Sequence, residues 1–128
     1  MGAASAVVVI DDDEELRDLL EALLALDGRF EVSASAADPA AGIAAVDLVR
    51  PAAAIVDLEI GEAPDLIDTI RELSPDTKIV VLSMFPDPYT LLDVVQRGAD
   101  AYLDRATSWL ELIPTIVSLC GIGAIEVT

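Results

Sequence analysis

The sequence predicts a three-layer α/β/α sandwich around a five-stranded parallel sheet, and three observations lead to it. The apolar runs Val7–Ile10, Ala53–Val56 and Ile79–Leu82 lack polar alternation, the pattern of strands buried on both faces. Between such runs lie segments with apolar residues at three- and four-residue spacing, which read as amphipathic helices. Strand and helix patterns alternate along the whole chain, an order that favours parallel pairing through right-handed crossovers.

The first strand, Val7-Val8-Val9-Ile10, runs into Asp11, Asp12 and Asp13, and Leu16, Leu19, Leu20, Leu23 and Leu24 then mark a helix. Asp13 fits its N-cap, Glu14 and Glu15 suit the positive end of its dipole, and Asp27-Gly28 ends it. Phe30, Val32 and Ala34 alternate as a short second strand. Asp38-Pro39 opens a helix with Ile43, Val46 and Val49 inward, and Arg50-Pro51 closes it.

The third strand, Ala53-Ala54-Ile55-Val56-Asp57, delivers a carboxylate to the end of a buried run. A loop follows through Ile60-Gly61-Glu62-Ala63-Pro64, then a helix from about Asp65 with Leu66, Ile67, Ile70 and Leu73 on one face. Ser74-Pro75-Asp76 is a turn, and Lys78–Ser83 is the fourth strand, ending in a hydroxyl. Phe85-Pro86-Asp87-Pro88 leads to a helix marked by Leu91, Leu92, Val94 and Val95 and stopped at Gly98. Ala101-Tyr102-Leu103 is the fifth strand, with Asp104-Arg105 directly after it. Thr107 or Ser108 is placed to cap a last helix through Cys120, in which Pro114 is expected to kink the helix or delay its start.

Composition narrows the chemistry. The 128 residues fit one domain over 1–120, with 121–128 as an exit tail or linker stub. With 24 acidic against 7 basic residues the net charge is −17, which repels phosphate backbones and anionic membranes, so no direct nucleic-acid contact is expected. No apolar run approaches the ~20 residues that span a bilayer, and the opening Met-Gly-Ala-Ala-Ser lacks the basic flank of a signal peptide, so a cytoplasmic location is expected. Cys120 is the only cysteine and there is no histidine, which removes an internal disulfide, histidine-based zinc sites and His-dependent triads.

In an open parallel sheet the strand C-termini share one edge, where such folds place their sites. Asp11 and Asp12, Asp57, Ser83 and Arg105 follow or end strands one, three, four and five, and so converge there. Carboxylates held together repel one another unless a hard cation takes their oxygens, and Mg²⁺ suits a site of this type. Phosphoryl transfer then needs an in-line nucleophile and donors around the equatorial oxygens. Asp57, Ser83 and Arg105 supply them, with an aspartyl phosphate as the covalent species.

These residues carry a resemblance. VVVIDD at 7–12, IVDL at 55–58, PDTKIVVLSMF at 75–85 and GADAYL at 98–103, at their mutual spacing, resemble the receiver domain of bacterial two-component response regulators. The 75–103 stretch looks most like the branch with a C-terminal LuxR-type helix-turn-helix. The resemblance implies a flavodoxin-like (βα)5 fold with strand order 2-1-3-4-5. It implies Asp57 as phosphoacceptor, with Asp11, Asp12 and Asp57 as the Mg²⁺ site. Ser83 and Arg105 would contact the phosphoryl group, and Tyr102 would be the aromatic that swings inward with Ser83. The implied partners are a sensor histidine kinase and an output protein or second copy, bound through the fourth helix, fifth strand and fifth helix. On this reading the domain assists its own phosphotransfer and is not a turnover enzyme. Whether it stands alone or once preceded a DNA-binding half is open.

Departures from the family pattern define the alternative. Arg105 stands where the family has lysine, Ile60-Gly61 replaces a Met-Pro, Asp65 falls where a glycine is usual, and Glu59 adds charge beside Asp57. A pseudo-receiver that binds partners without phosphorylation is the second reading, with Arg105 locking Asp57 in a bidentate pair. A small Mg²⁺-dependent phosphatase is the third, because Glu59 has the spacing of a general acid.

Overall fold

The computed structural model describes residues 4–84, 87–105 and 109–121. The elements alternate: β1 Ser5–Ile10, α1 Glu14–Asp27, β2 Phe30–Ala36, α2 Pro39–Val49, β3 Ala53–Asp57, α3 Ala63–Leu73, β4 Lys78–Ser83, α4 Pro88–Arg97, β5 Ala101–Asp104 and α5 Trp109–Cys120. Every strand pairing is parallel, and the order across the sheet is β2-β1-β3-β4-β5, as expected.

Period-two alternation divides the core. Val8, Ile10, Ala54, Val56, Ile79 and Val81 face one layer, where they pack with Val46 of α2, Leu66, Ile67 and Ile70 of α3, and Val94 of α4. Val7, Val9, Ala53, Ile55, Val80 and Leu82 face the other, against Leu16, Leu20 and Leu24 of α1 and Leu112 and Ile116 of α5. Burial on both faces explains why the central strands read as continuous apolar runs. Helix α2 lies so close to β1 that a Cβ at Gly42 would sit 2.7 Å from Ile10 Cδ1, which fixes the residue just before Asp11.

Helix ends follow the local sequence. Asp13, Asp38 and Asp87 accept backbone N–H bonds at the starts of α1, α2 and α4, and Gly28 and Gly98 end α1 and α4 at φ values of 82° and 118°. Among the described residues no helix is long and apolar enough to cross a membrane.

Four local expectations are corrected. Helix α3 starts at Ala63, not near Asp65, because Pro64 occupies its first turn, where a missing N–H costs nothing. Strand β2 shifts register opposite Val7 and Val8, so Phe30 and Val32 join the α1–α5 layer while Ala34 and Ala36 join the other. Strand β5 extends one residue further, to Asp104. Helix α5 is already formed at Trp109 and runs through Pro114, so the proline does not delay its start. Pro114 is exposed, as is Leu110, whose carbonyl loses the intrahelical bond on the solvent side of the helix. The caps expected at Thr107 or Ser108, and residues 122–128 of the expected tail, lie outside the described residues.

Candidate functional site

Strand register assembles the site. Ile10 of β1 pairs with Val56 of β3, which sets Asp11 beside Asp57 one step further on, and Asp57 itself pairs with Leu82 of β4. Asp11 and Asp57 are buried, 1% and 2% exposed, whereas Asp12 faces solvent. Each of the three offers a carboxylate oxygen, and those oxygens lie within 4.8 Å of one another. The convergence expected of Asp11, Asp12 and Asp57 is thus present.

The surroundings hold these carboxylates in place without neutralising them. Asp11 Oδ1 accepts the Asp13 N–H at 2.9 Å, and Arg17 Nη1 donates to the Asp11 carbonyl at 2.7 Å. Asp11 Oδ2 is buried with no hydrogen-bond partner among the described residues. Burial pushes the Asp11 pKa up, and the charges of Asp12 and Asp13 add to it; the Asp13 N–H and Arg105 oppose the rise. Asp57 Oδ1 accepts the Glu59 N–H at 3.0 Å. Its pKa is raised to about 6, first by burial and then by the charges of Asp11 and Glu59, against the Glu59 N–H and Arg105. A buried, unpartnered oxygen beside two more carboxylates fits a hard divalent cation, whose charge would relieve both shifts.

Arg105 follows β5, and its backbone N–H bonds the Ser83 carbonyl at 2.9 Å. Its guanidinium stands between two acids, with Nη1 3.8 Å from Asp57 Oδ1 and Nη2 3.6 Å from Asp13 Oδ2. These are loose ionic contacts outside hydrogen-bonding range, so the bidentate lock on Asp57 is absent. Asp13, read from sequence as the cap of α1, does cap it and faces Arg105 as well.

Ser83 and Tyr102 complete the edge. The Ser83 hydroxyl donates to Glu59 Oε2 at 2.7 Å, and the Met84 N–H donates to Glu59 Oε1 at 2.8 Å. Tyr102 pairs with Val81 and packs into the α2–α3–α4 layer. Its hydroxyl is shielded from solvent and lies toward Ser83 without forming a full hydrogen bond among the described residues. Burial raises the Tyr102 pKa, Asp104 and Glu59 add to the rise, and Ser83 opposes it. The sequence reading treated Glu59 only as an added charge or a possible acid, and missed its contacts with β4. The available signal was register: with Asp57 opposite Leu82, two steps further set Glu59 beside Met84.

Comparison with known proteins agrees with this geometry. The response regulator receiver domain family matches residues 7–116. The chain is 32% identical over 121 residues to the photosynthetic apparatus regulatory protein RegA of Rhodovulum sulfidophilum, covering 92% of this chain and 64% of that protein. It is 38% identical over 101 residues to the oxygen regulatory protein NreC of Staphylococcus epidermidis, covering 76% of this chain and 46% of that protein. The chain therefore spans roughly half to two-thirds of the length of these relatives. A signal receiver domain from Mycobacterium tuberculosis superposes with a TM-score of 0.87 at 21% identity, covering 94% of this chain and 99% of that one. With this fold, this acidic edge and a family match over most of its length, the chain belongs to the receiver domains of two-component response regulators.

Proposed function

We propose that this receiver accepts a phosphoryl group on Asp57 from the phosphohistidine of a sensor histidine kinase. The observation that carries the reading is the buried Asp57 carboxylate, grouped with Asp11 and Asp12 and facing Arg105 without being bonded to it. An Asp57 oxygen attacks phosphorus in line, the phosphorus–nitrogen bond to the donor imidazole breaks, and the leaving imidazole takes a proton from solvent. Asp11, Asp12 and Asp57 would hold Mg²⁺, which supplies charge neutralisation for the incoming phosphoryl oxygens. Arg105 contributes positive charge from the β5 side, and its distance from Asp57 leaves the nucleophile available.

The output surface we propose is the α4–β5–α5 face, for an output partner or a second copy. Tyr89, Leu92 and Val95 are exposed on α4, a concentration of apolar side chains that suits a protein partner. Direct nucleic-acid contact by this acidic chain is not part of the proposal, and a cytoplasmic site of action fits a kinase-fed receiver.

The pseudo-receiver alternative needed Arg105 to lock Asp57, and the 3.8 Å separation does not favour it. The phosphatase alternative needed Glu59 to donate a proton, yet both Glu59 oxygens act as acceptors. The test is intact mass after incubation with acetyl phosphate and Mg²⁺, alongside Asp57→Asn. One phosphoryl adduct, absent without Mg²⁺ and absent in Asp57→Asn, supports the reading. No adduct under any of these conditions, or an adduct that survives Asp57→Asn, overturns it.

A further inference from the structure

From the contacts of Glu59 we infer that its carboxylate is a built-in anion occupying the two donors at the end of β4, and must be displaced for an acyl phosphate on Asp57 to reach them. The inference rests on Asp57 being the acceptor and adds a residue that sets how readily it is loaded.

Three observations combine. Both Glu59 oxygens are engaged, one by the Ser83 hydroxyl at 2.7 Å and one by the Met84 N–H at 2.8 Å. Glu59 and Met84 are exposed, but Ser83 is fully buried, so the Ser83 end of this contact lies inside the site. Glu59 is also tethered to the acceptor, since its own N–H donates to Asp57 Oδ1 at 3.0 Å, which keeps the carboxylate within reach of the nucleophile.

A hydroxyl and an adjacent backbone N–H converging on one carboxylate form a ready-made oxyanion cradle. A phosphoryl group bound to Asp57 offers the same chemistry, anionic oxygens seeking donors, and competes with Glu59 for the same two groups. Glu59 thus engages the Ser83 hydroxyl before any phosphoryl group is present. Tyr102 is at the same time packed inward, its hydroxyl shielded from solvent and directed toward Ser83. The Ser83 hydroxyl is thereby held by an internal anion, and phosphorylation exchanges one anion for another.

The test compares wild type with Glu59→Ala in two measurements. The first is the amide proton shift of Met84 in the metal-free protein, which reads the contact without phosphorylation. A charge-assisted bond places this resonance downfield, and Glu59→Ala moves it upfield; an unchanged shift overturns the inference. The second is the initial rate of adduct formation with acetyl phosphate and Mg²⁺. Glu59→Ala raises it about tenfold, the scale of one charge-assisted hydrogen bond no longer given up.

Through-space repulsion by Glu59 would also slow the anionic donor, but it is screened at 1 M salt, where the Debye length is about 3 Å. Retention of the rate ratio at 1 M NaCl supports occupancy of the donors, and collapse of the ratio to one overturns it. Equal rates at low salt overturn the role of Glu59 while leaving Asp57 as acceptor. Absence of adduct in both proteins overturns the acceptor reading and this inference together.

Discussion

Where the strands begin, Arg71 Nη1 donates to the carbonyls of Pro75 and Thr77, and Nη2 donates to the Gly98 carbonyl and to Asp100 Oδ2. Asp100 Oδ2 also accepts the Ile79 N–H, and the buried Thr77 hydroxyl joins the Ser74 hydroxyl to the Pro51 carbonyl. Where the strands end, Asp11 Oδ2 is buried without a partner among the described residues, and Asp57 meets its guanidinium at 3.8 Å. Both edges bury polar groups, Ser74 and Thr77 at the first and Asp11, Asp57 and Ser83 at the second. At the first edge donors and acceptors match; at the second, acceptors are in excess. Buried polar groups are normally satisfied, so a buried excess of one sign marks the edge that awaits a ligand.

The largest expected effect tests the satisfied edge. Arg71→Ala strips the partner from three carbonyls and from Asp100, and is expected to cost about 3 kcal/mol in urea unfolding with an unchanged slope. Arg71→Lys should recover less than half of that, because an ammonium cannot fork between these acceptors. A loss under about 0.5 kcal/mol would show that water serves this edge equally well and would blunt the contrast.

The next effect has the opposite sign and belongs to the unsatisfied edge. Asp57 titrates at about 6 in the fold and near the ordinary carboxylate value of about 3.9 when unfolded. Between those values the folded protein binds the proton more tightly, so stability falls as pH rises from about 4 through 6 and stays low above. In metal-free buffer at pH 7.5, Asp57→Asn is expected to gain on the order of 2 kcal/mol, a gain that vanishes near pH 4. The shift of Asp11 in the same direction leaves a shallower slope in the variant. Urea melts at the two pH values check this; a destabilised Asp57→Asn at pH 7.5 would contradict it.

A smaller effect sharpens the first edge. Thr77→Val keeps the shape but orphans the Ser74 hydroxyl and the Pro51 carbonyl, with an expected loss of about 1–2 kcal/mol in the same melts.

The strands and the four strand-end positions were legible because each depends on short-range pattern, whereas the strand order was implied by the family resemblance and not by local pattern. Continuous apolar runs mark strands covered on both faces, and a parallel sheet brings their last residues to one edge. The start of α3 was missed because Pro64 reads as a breaker until its place in the first turn is known. The β2 bulge was hidden because Phe30, Val32 and Ala34 alternate in sequence, while the pairing partner decides which layer each side chain enters. Distances escaped for a similar reason: a guanidinium after β5 reads as a partner for Asp57, whereas in the fold it is shared with Asp13. The contacts of Glu59 depend on β3–β4 register, which no segment read by itself contains.

The most direct test of the contrast between the edges is a Mg²⁺ titration of the isotopically labelled protein, following every backbone amide. Saturable shifts concentrated at residues 11–13, 57–59, 83–84 and 105, with 71–79 and 98–101 unmoved, are the expected result. No saturable shift at 11–13 and 57–59, or shifts spread equally over both edges, would contradict the claim that the strand C-terminal edge is a cation site left incomplete by its own side chains.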